Sequence, residues 1–157
     1  MDPVTPLRRP TRKVAGVPRS PLILLVAFAL VLAGCSNSED RLNTTVRSFA
    51  DALSRGDAAA AAALTTDEAA AADVLGALFA SLGKDVRVEA GAIDEKDGAA
   101  TFALDANWKF GPEKTNEWSY STDGAAAAEG EGWKIRWDPA TVAPGLDEGP
   151  LSYSTLI

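Results

Sequence analysis

Between residues 42 and 55 the chain alternates apolar and charged positions with a helical period. Leu42, Val46, Phe49, Ala50 and Leu53 recur three or four residues apart, with Arg47, Asp51 and Arg55 off that stripe. The spacing predicts an amphipathic helix with one buried face. Gly56 is placed to end it and Asp57 to cap the next. The following run of alanines, residues 58–63, favours helix but has almost no side chain to bury, so it should pack closely on a neighbour. Thr65 and Glu68, three apart in TTDE, fit a capping box. A third helix then presents Val74, Leu75, Leu78, Phe79 and Leu82 on one side, and Gly83 closes it.

From Lys84 the period changes to two. VRVEAGAI, residues 86–93, reads as a short strand with Val86 and Val88 on one face. DEKDG supplies a turn containing Asp97-Gly98. A long strand comes next, with Ala100, Phe102, Leu104, Ala106, Trp108 and Phe110 alternating against Thr101, Asp105, Asn107 and Lys109. Gly111-Pro112 breaks it. NEWSYS gives a third strand, with Trp118 and Tyr120 on a common face; Asp123-Gly124 reads as a turn into a weak fourth, AAAAE. Glu129-Gly130-Glu131-Gly132 then turns into a fifth, WKIRW, where Trp133, Ile135 and Trp137 oppose Lys134 and Arg136. Helices first and hairpin-spaced strands afterwards define an α+β plan: three N-terminal helices packed on a curved antiparallel sheet of about five strands. Phe102, Trp108, Trp118, Trp133 and Trp137 are the expected aromatic core. A curved sheet is concave, so a cavity lined by Trp108, Trp118 and Tyr120 is the candidate ligand site.

The segment before the first helix is of another kind. Arg8, Arg9, Arg12, Lys13 and Arg19 precede an uncharged apolar run from Pro21 to Gly34. Its core, Leu22 to Ala33, is 12 residues, short of the roughly 20 a spanning helix needs. Basic and then briefly apolar is the layout of a secretory signal. Arg8-Arg9 lacks the apolar residues that come after a twin-arginine pair. The one cysteine, Cys35, ends this run as Leu32-Ala33-Gly34-Cys35. That tetrapeptide resembles a bacterial lipobox, in which the Cys thiol receives a diacylglyceryl group and the leader is cut before it. Residues 1–34 are thus expected as a lipoprotein signal peptide and 35–40 as a polar tether. Residues 41–150 would form the folded domain, and 151–157 the start of a linker whose continuation is missing. With one cysteine the chain cannot form an internal disulfide.

The chain carries a formal net charge of −7, and its leader is basic, so the domain is more acidic than the whole. Such a surface has no electrostatic footprint for nucleic acid and is repelled by anionic lipid headgroups. A lipid, not a basic patch, is what would hold it to the cytoplasmic membrane, on the extracytoplasmic face.

Histidine is absent. That removes the commonest general base and metal ligand and any Ser-His or Cys-His pair. No zinc ligand set and no Gly-rich phosphate loop are present, and neither metal nor cofactor is expected. Ser81-Leu82-Gly83-Lys84 fits S-x-x-K, but at the end of a helix, where serine and lysine cannot share a cleft; Lys114-Thr115-Asn116 is not K-T-G. Asp105 and Tyr120 are the one acid–base pair an enzyme could use here, and the alternation puts Asp105 on the face opposite the aromatics.

The mature chain resembles the N-terminal, MecA-type domain of lipoprotein class B penicillin-binding proteins, a cone-shaped fold like that of nuclear transport factor two. The residues that carry the resemblance are VRSFADALSRGDAAAAAALT, GAATFALDANWKF and above all WKIRWDPATVAPGLDEG. In the last, Trp133, Trp137, Asp138, Pro139, Pro144, Leu146 and Gly149 match the family's closing pattern. The resemblance implies a domain without catalytic residues that lifts a transpeptidase away from the membrane toward peptidoglycan. Its implied partners are the membrane, through the lipid on Cys35, and a transpeptidase domain or other cell-wall proteins. The transpeptidase motifs of the parent family do not occur in these residues. The competing reading is a stand-alone lipoprotein that binds a small apolar ligand in the cone cavity.

Overall fold

The computed structural model describes residues 21–111 and 113–152. Most of the expected signal, residues 1–20, and residues 153–157 of the expected linker lie outside it. So does the Cys35 side chain, although the backbone there is helical. The chain divides into two units, Met1–Ala33 and Gly34–Ile157. The described part of the first is helix, and the second holds the folded domain.

Helix α1 runs over Pro21–Ser54, α2 over Ala58–Ala62 and α3 over Glu68–Leu82. Leu42, Val46, Phe49, Ala50 and Leu53 are all buried, so the helical stripe is the core face. Residues 35–40, expected as a tether, have helical backbone within α1. The reason is tertiary: the Trp133 indole N–H donates to Ser38 Oγ at 3.3 Å, and the Arg41 guanidinium donates to the Glu131 carbonyl. Asp57 caps α2 as expected, accepting from Ala60 N at 3.0 Å. The cap of α3 is Asp67, not Thr65, and accepts from Ala70 N at 3.1 Å. Thr65 is buried, its hydroxyl donating back to the Ala62 carbonyl at 2.8 Å. Its neighbours pair with Ile135, Thr66 N donating to the Ile135 carbonyl and Ile135 N to the Leu64 carbonyl, so the hydroxyl stays turned back toward α2.

Four antiparallel strands form an open sheet in the order β1 (Val86–Lys96), β2 (Ala99–Phe110), β3 (Asn116–Glu129) and β4 (Gly132–Ile135). β1 and β2 meet at Asp97-Gly98, with φ of 53° and 77°, the two positive values a tight hairpin turn requires. A register shift between Ala90 and Ile93 marks a bulge in β1. The even positions of β2 from Ala100 to Trp108 are buried, and the odd ones face outward or are half-covered. Those buried positions join α1 and α3 in one apolar cluster with Trp133, Ile135 and Val142.

The third and fourth expected strands are a single strand. Asp123 and Gly124 do not turn; they pair with Ala103 and Phe102 in the middle of the β2–β3 ladder. Gly124 is there for closeness. A Cβ at this position would lie 2.3 Å from the Phe102 ring and 2.7 Å from Thr141 Cγ2. A glycine inside a strand marks such an approach as readily as a turn. The last strand is also shorter than expected. Trp137 has left it, donating its N–H to Thr66 Oγ1 at 3.0 Å.

Candidate functional site

Of the three residues expected to line a cavity, Trp108 is sealed in the core at 1 % exposure. Phe79 packs on it from α3, ring centroids 6.1 Å apart, and Phe110 lies parallel to it at 6.3 Å. The concave face is filled there by helix side chains, so Trp108 is not a cavity wall. Trp118 and Tyr120 are half-buried beside it, their rings 4.4 Å apart.

The polar atoms of this cluster hold the chain's exit. Trp108 Nε1–H donates to Tyr120 Oη at 2.9 Å, and Tyr120 O–H donates to the Val142 carbonyl at 2.9 Å. Two residues along β3, Thr122 Oγ1 donates to the Thr141 carbonyl at 2.5 Å. Val142 and Thr141 belong to a short 3-10 turn, Pro139–Thr141 with its cap, which Asp138 starts by accepting from Ala140 N at 2.9 Å. Just upstream, Thr66 N donates to the Ile135 carbonyl and Arg136 N to the Ala125 carbonyl, both at 2.8 Å. The closing motif is therefore bound between the α2–α3 connection and β3, and Leu146 is buried beyond it. Thr66, Thr122 and Thr141 carry this junction, and the sequence pattern does not single them out. The one available signal was that Thr122 continues the alternation of Trp118 and Tyr120.

Burial raises the Tyr120 phenol above its usual 10.0, and the hydrogen bond from Trp108 offsets part of that. Below pH about 10 both folded and unfolded chains keep the proton, and Tyr120 makes no pH-dependent contribution. As pH rises past that value the unfolded chain ionises first, so stability falls until the folded phenol ionises too. Tyr120→Phe is expected to cost about 2 kcal/mol at neutral pH, because the Val142 carbonyl and the Trp108 N–H lose their partner. It should also remove this alkaline fall. Urea titrations of both proteins at pH 7 and pH 11 check the two effects; an equal alkaline loss in both would refute the assignment to Tyr120.

The outer face of the sheet holds a shallow hollow of about 400 Å³, bordered by Arg87, Glu89, Asp105, Asn107, Ser119 and Ser121, with Ala106 and Tyr120 also at its edge. Its groups satisfy one another. Ser121 donates to Asp105, Asn107 Nδ2 donates to Ser119 Oγ at 2.7 Å, and Arg87 pairs with Glu89 at 2.6 Å. Asp105 is exposed there, while the Tyr120 hydroxyl is engaged with Trp108 and Val142. The two do not form an acid–base pair. Among the described residues, no three His, Cys, Asp or Glu side chains are grouped to hold a metal ion. Ser81 and Lys84 flank the end of α3, both exposed, as their place in the sequence implies. An apolar hollow of about 330 Å³ does exist, but elsewhere, between Val74 and Leu78 of α3 and Leu146 and Leu151 of the exit.

Three helices on a four-stranded antiparallel open sheet, with Tyr120, Thr122 and Thr66 bracing the segment after β4, are the class of fold. The chain belongs to the family of NTF2-like N-terminal transpeptidase domains, MecA_N, whose model matches residues 43–150. In the parent family such a domain is non-catalytic. Similar solved structures include two from Novosphingobium aromaticivorans. One is an uncharacterized cystatin-fold protein, 10% identical over 59% of this chain and 93% of that one, TM-score 0.47. The other is an NTF2-like protein with a cystatin-like fold, 13% identical over 76% and 87%, TM-score 0.48. A Mycobacterium tuberculosis protein of unknown function is 11% identical over 76% and 73%, TM-score 0.45. No curated protein matches the chain.

Proposed function

We propose that the chain is the non-catalytic pedestal of a penicillin-binding transpeptidase acting in peptidoglycan synthesis. Lipidated Cys35 would hold it at the extracytoplasmic face of the bacterial membrane. The observation that carries this reading is the braced exit. Tyr120, Thr122 and Thr66 fasten residues 135–142 at several points, as a domain must if it is to impose a fixed position on a catalytic neighbour. Two prolines, Pro139 and Pro144, restrict the backbone along the same stretch. A domain of this size spans roughly 30–40 Å by the compactness rule, a useful height for a spacer.

Two measurements test the proposal. The DNA downstream of the Ile157 codon is expected to encode S-x-x-K, S-x-N and K-T-G segments, in frame or shifted, or a neighbouring gene is expected to do so. A fluorescent penicillin should label the transpeptidase segment covalently and leave residues 1–157 unlabelled. Labelling within residues 1–157, or no transpeptidase sequence nearby, would overturn the role. Separately, mass spectrometry of the mature N-terminus should find a diacylglyceryl Cys35, and Cys35→Ser should move the protein out of the membrane fraction, since two acyl chains give stable anchoring. An unmodified Cys35 would overturn the anchor.

A further inference from the structure

The two hairpin tips of the sheet lie side by side, Ala128 N donating to the Gly98 carbonyl at 2.9 Å. The start of the folded part of α1 is fastened to the same end. Ser38 accepts from the Trp133 indole at 3.3 Å, Arg41 donates to the Glu131 carbonyl, and Leu42 is already 1 % exposed. At the other end of the sheet, Ser54 Oγ accepts from Val88 N at 2.7 Å and donates to its carbonyl at 3.0 Å. From Ser38 to Ser54, α1 is thus pinned along the sheet for about 24 Å.

Only Ser36 and Asn37 separate Cys35 from the first fastened residue. The end so fastened is acidic: Glu39, Asp40, Glu95, Asp97, Glu129 and Glu131 are all exposed there, against Arg41 and Lys96.

We propose that the β3–β4 hairpin clasps the root of α1, so that the domain stands on its lipid anchor as a rigid post. Its acidic hairpin end then faces the headgroups and is repelled by anionic ones. The proposal rests on the anchoring of Cys35 argued above. A flexible tether would let the domain tumble and fall onto the bilayer. The clasp forbids that, and like charge within a Debye length of about 8 Å opposes close approach of the tip.

The clasp is read first, without any membrane. In the mature chain, amides 40–42 are expected to exchange hydrogen slowly. The double variant Trp133→Phe, Arg41→Ala should speed them by about tenfold or more, because the hydrogen bonds of the clasp are lost. Fast exchange in the unaltered protein would overturn the clasp, whatever the state of Cys35.

Orientation is read on membrane-purified protein in vesicles carrying a headgroup dye. Glu129→Cys and Glu113→Cys place the label near opposite ends of β3, about 40 Å apart. Energy transfer should be much the stronger from position 129. A Gly-Ser linker inserted after Ser36 should equalise the two. With anionic vesicles, a Glu95→Gln, Asp97→Asn, Glu131→Gln variant should raise transfer from position 129. Equal transfer from both positions without the linker, or no response to the neutralised tip, would overturn the post. Absence of the protein from the membrane fraction would instead strike the anchoring reading and leave the exchange result standing.

Discussion

Trp108→Ala is expected to destabilise the domain by about 4 kcal/mol, the range for truncating a large buried aromatic. For a domain of this length that lowers the thermal midpoint by roughly 15 °C. The indole is 1 % exposed, touches Phe79 and Phe110, and gives its N–H to Tyr120. Truncation therefore opens a void under α3 and strips the donor from the phenol that holds Val142. Trp108→Phe keeps most of the volume and should cost less than half as much. Thermal or urea unfolding monitored by circular dichroism checks both. A loss under about 1 kcal/mol for the alanine variant would mean that the indole borders open space, and the cavity reading would return.

Gly124→Ala is the second large effect, about 3 kcal/mol of destabilisation from overpacking. Adding one methyl is ordinarily mild in a strand. Here the new carbon meets the ring of Phe102, itself 2 % exposed, and the methyl of Thr141. The ring is packed in the same buried cluster as Leu104 and Ala126 and has little room to retreat. Thr141 cannot retreat without loosening its carbonyl from Thr122. Gly132→Ala is the control. A Cβ there meets nothing nearer than the Glu129 carbonyl oxygen at 3.8 Å, so its effect should stay within about 0.5 kcal/mol. If the two substitutions cost the same, the close approach at Gly124 is wrong.

The same glycine shows where a linear reading stops. Asp-Gly is a good turn signal, and it served at Asp97-Gly98, where both φ values are positive. At Asp123-Gly124 the identical dipeptide runs straight through a strand. Nothing local separates the two. The difference is Phe102 and Thr141, residues distant in sequence that need the space a side chain would fill. Thr65 errs in the same way: its spacing to Glu68 suits a capping box, but its neighbours pair with Ile135 and its hydroxyl turns back to the Ala62 carbonyl. Residues 36–40 look like a polar spacer until Trp133 is seen to reach Ser38.

Periodicity, by contrast, was sufficient wherever an element buries one face. The helical stripe from Leu42 to Leu53, the α3 face around Leu75 and Leu78, and the alternation of β2 all came from the sequence, because burial repeats with the geometry of the element itself. The closing motif was legible as a motif. The contacts that brace it were not, since hydroxyls on Thr66, Tyr120 and Thr122 meet it from two other elements. The sequence by itself determined the class of fold, its family and the absence of histidine chemistry. Only the tertiary structure decided the number of strands, the filling of the concave face by Phe79 and Trp108, and the fastening of both ends of the domain. Those depend on which distant side chains compete for the same volume and the same hydrogen bonds, and no periodic pattern encodes that.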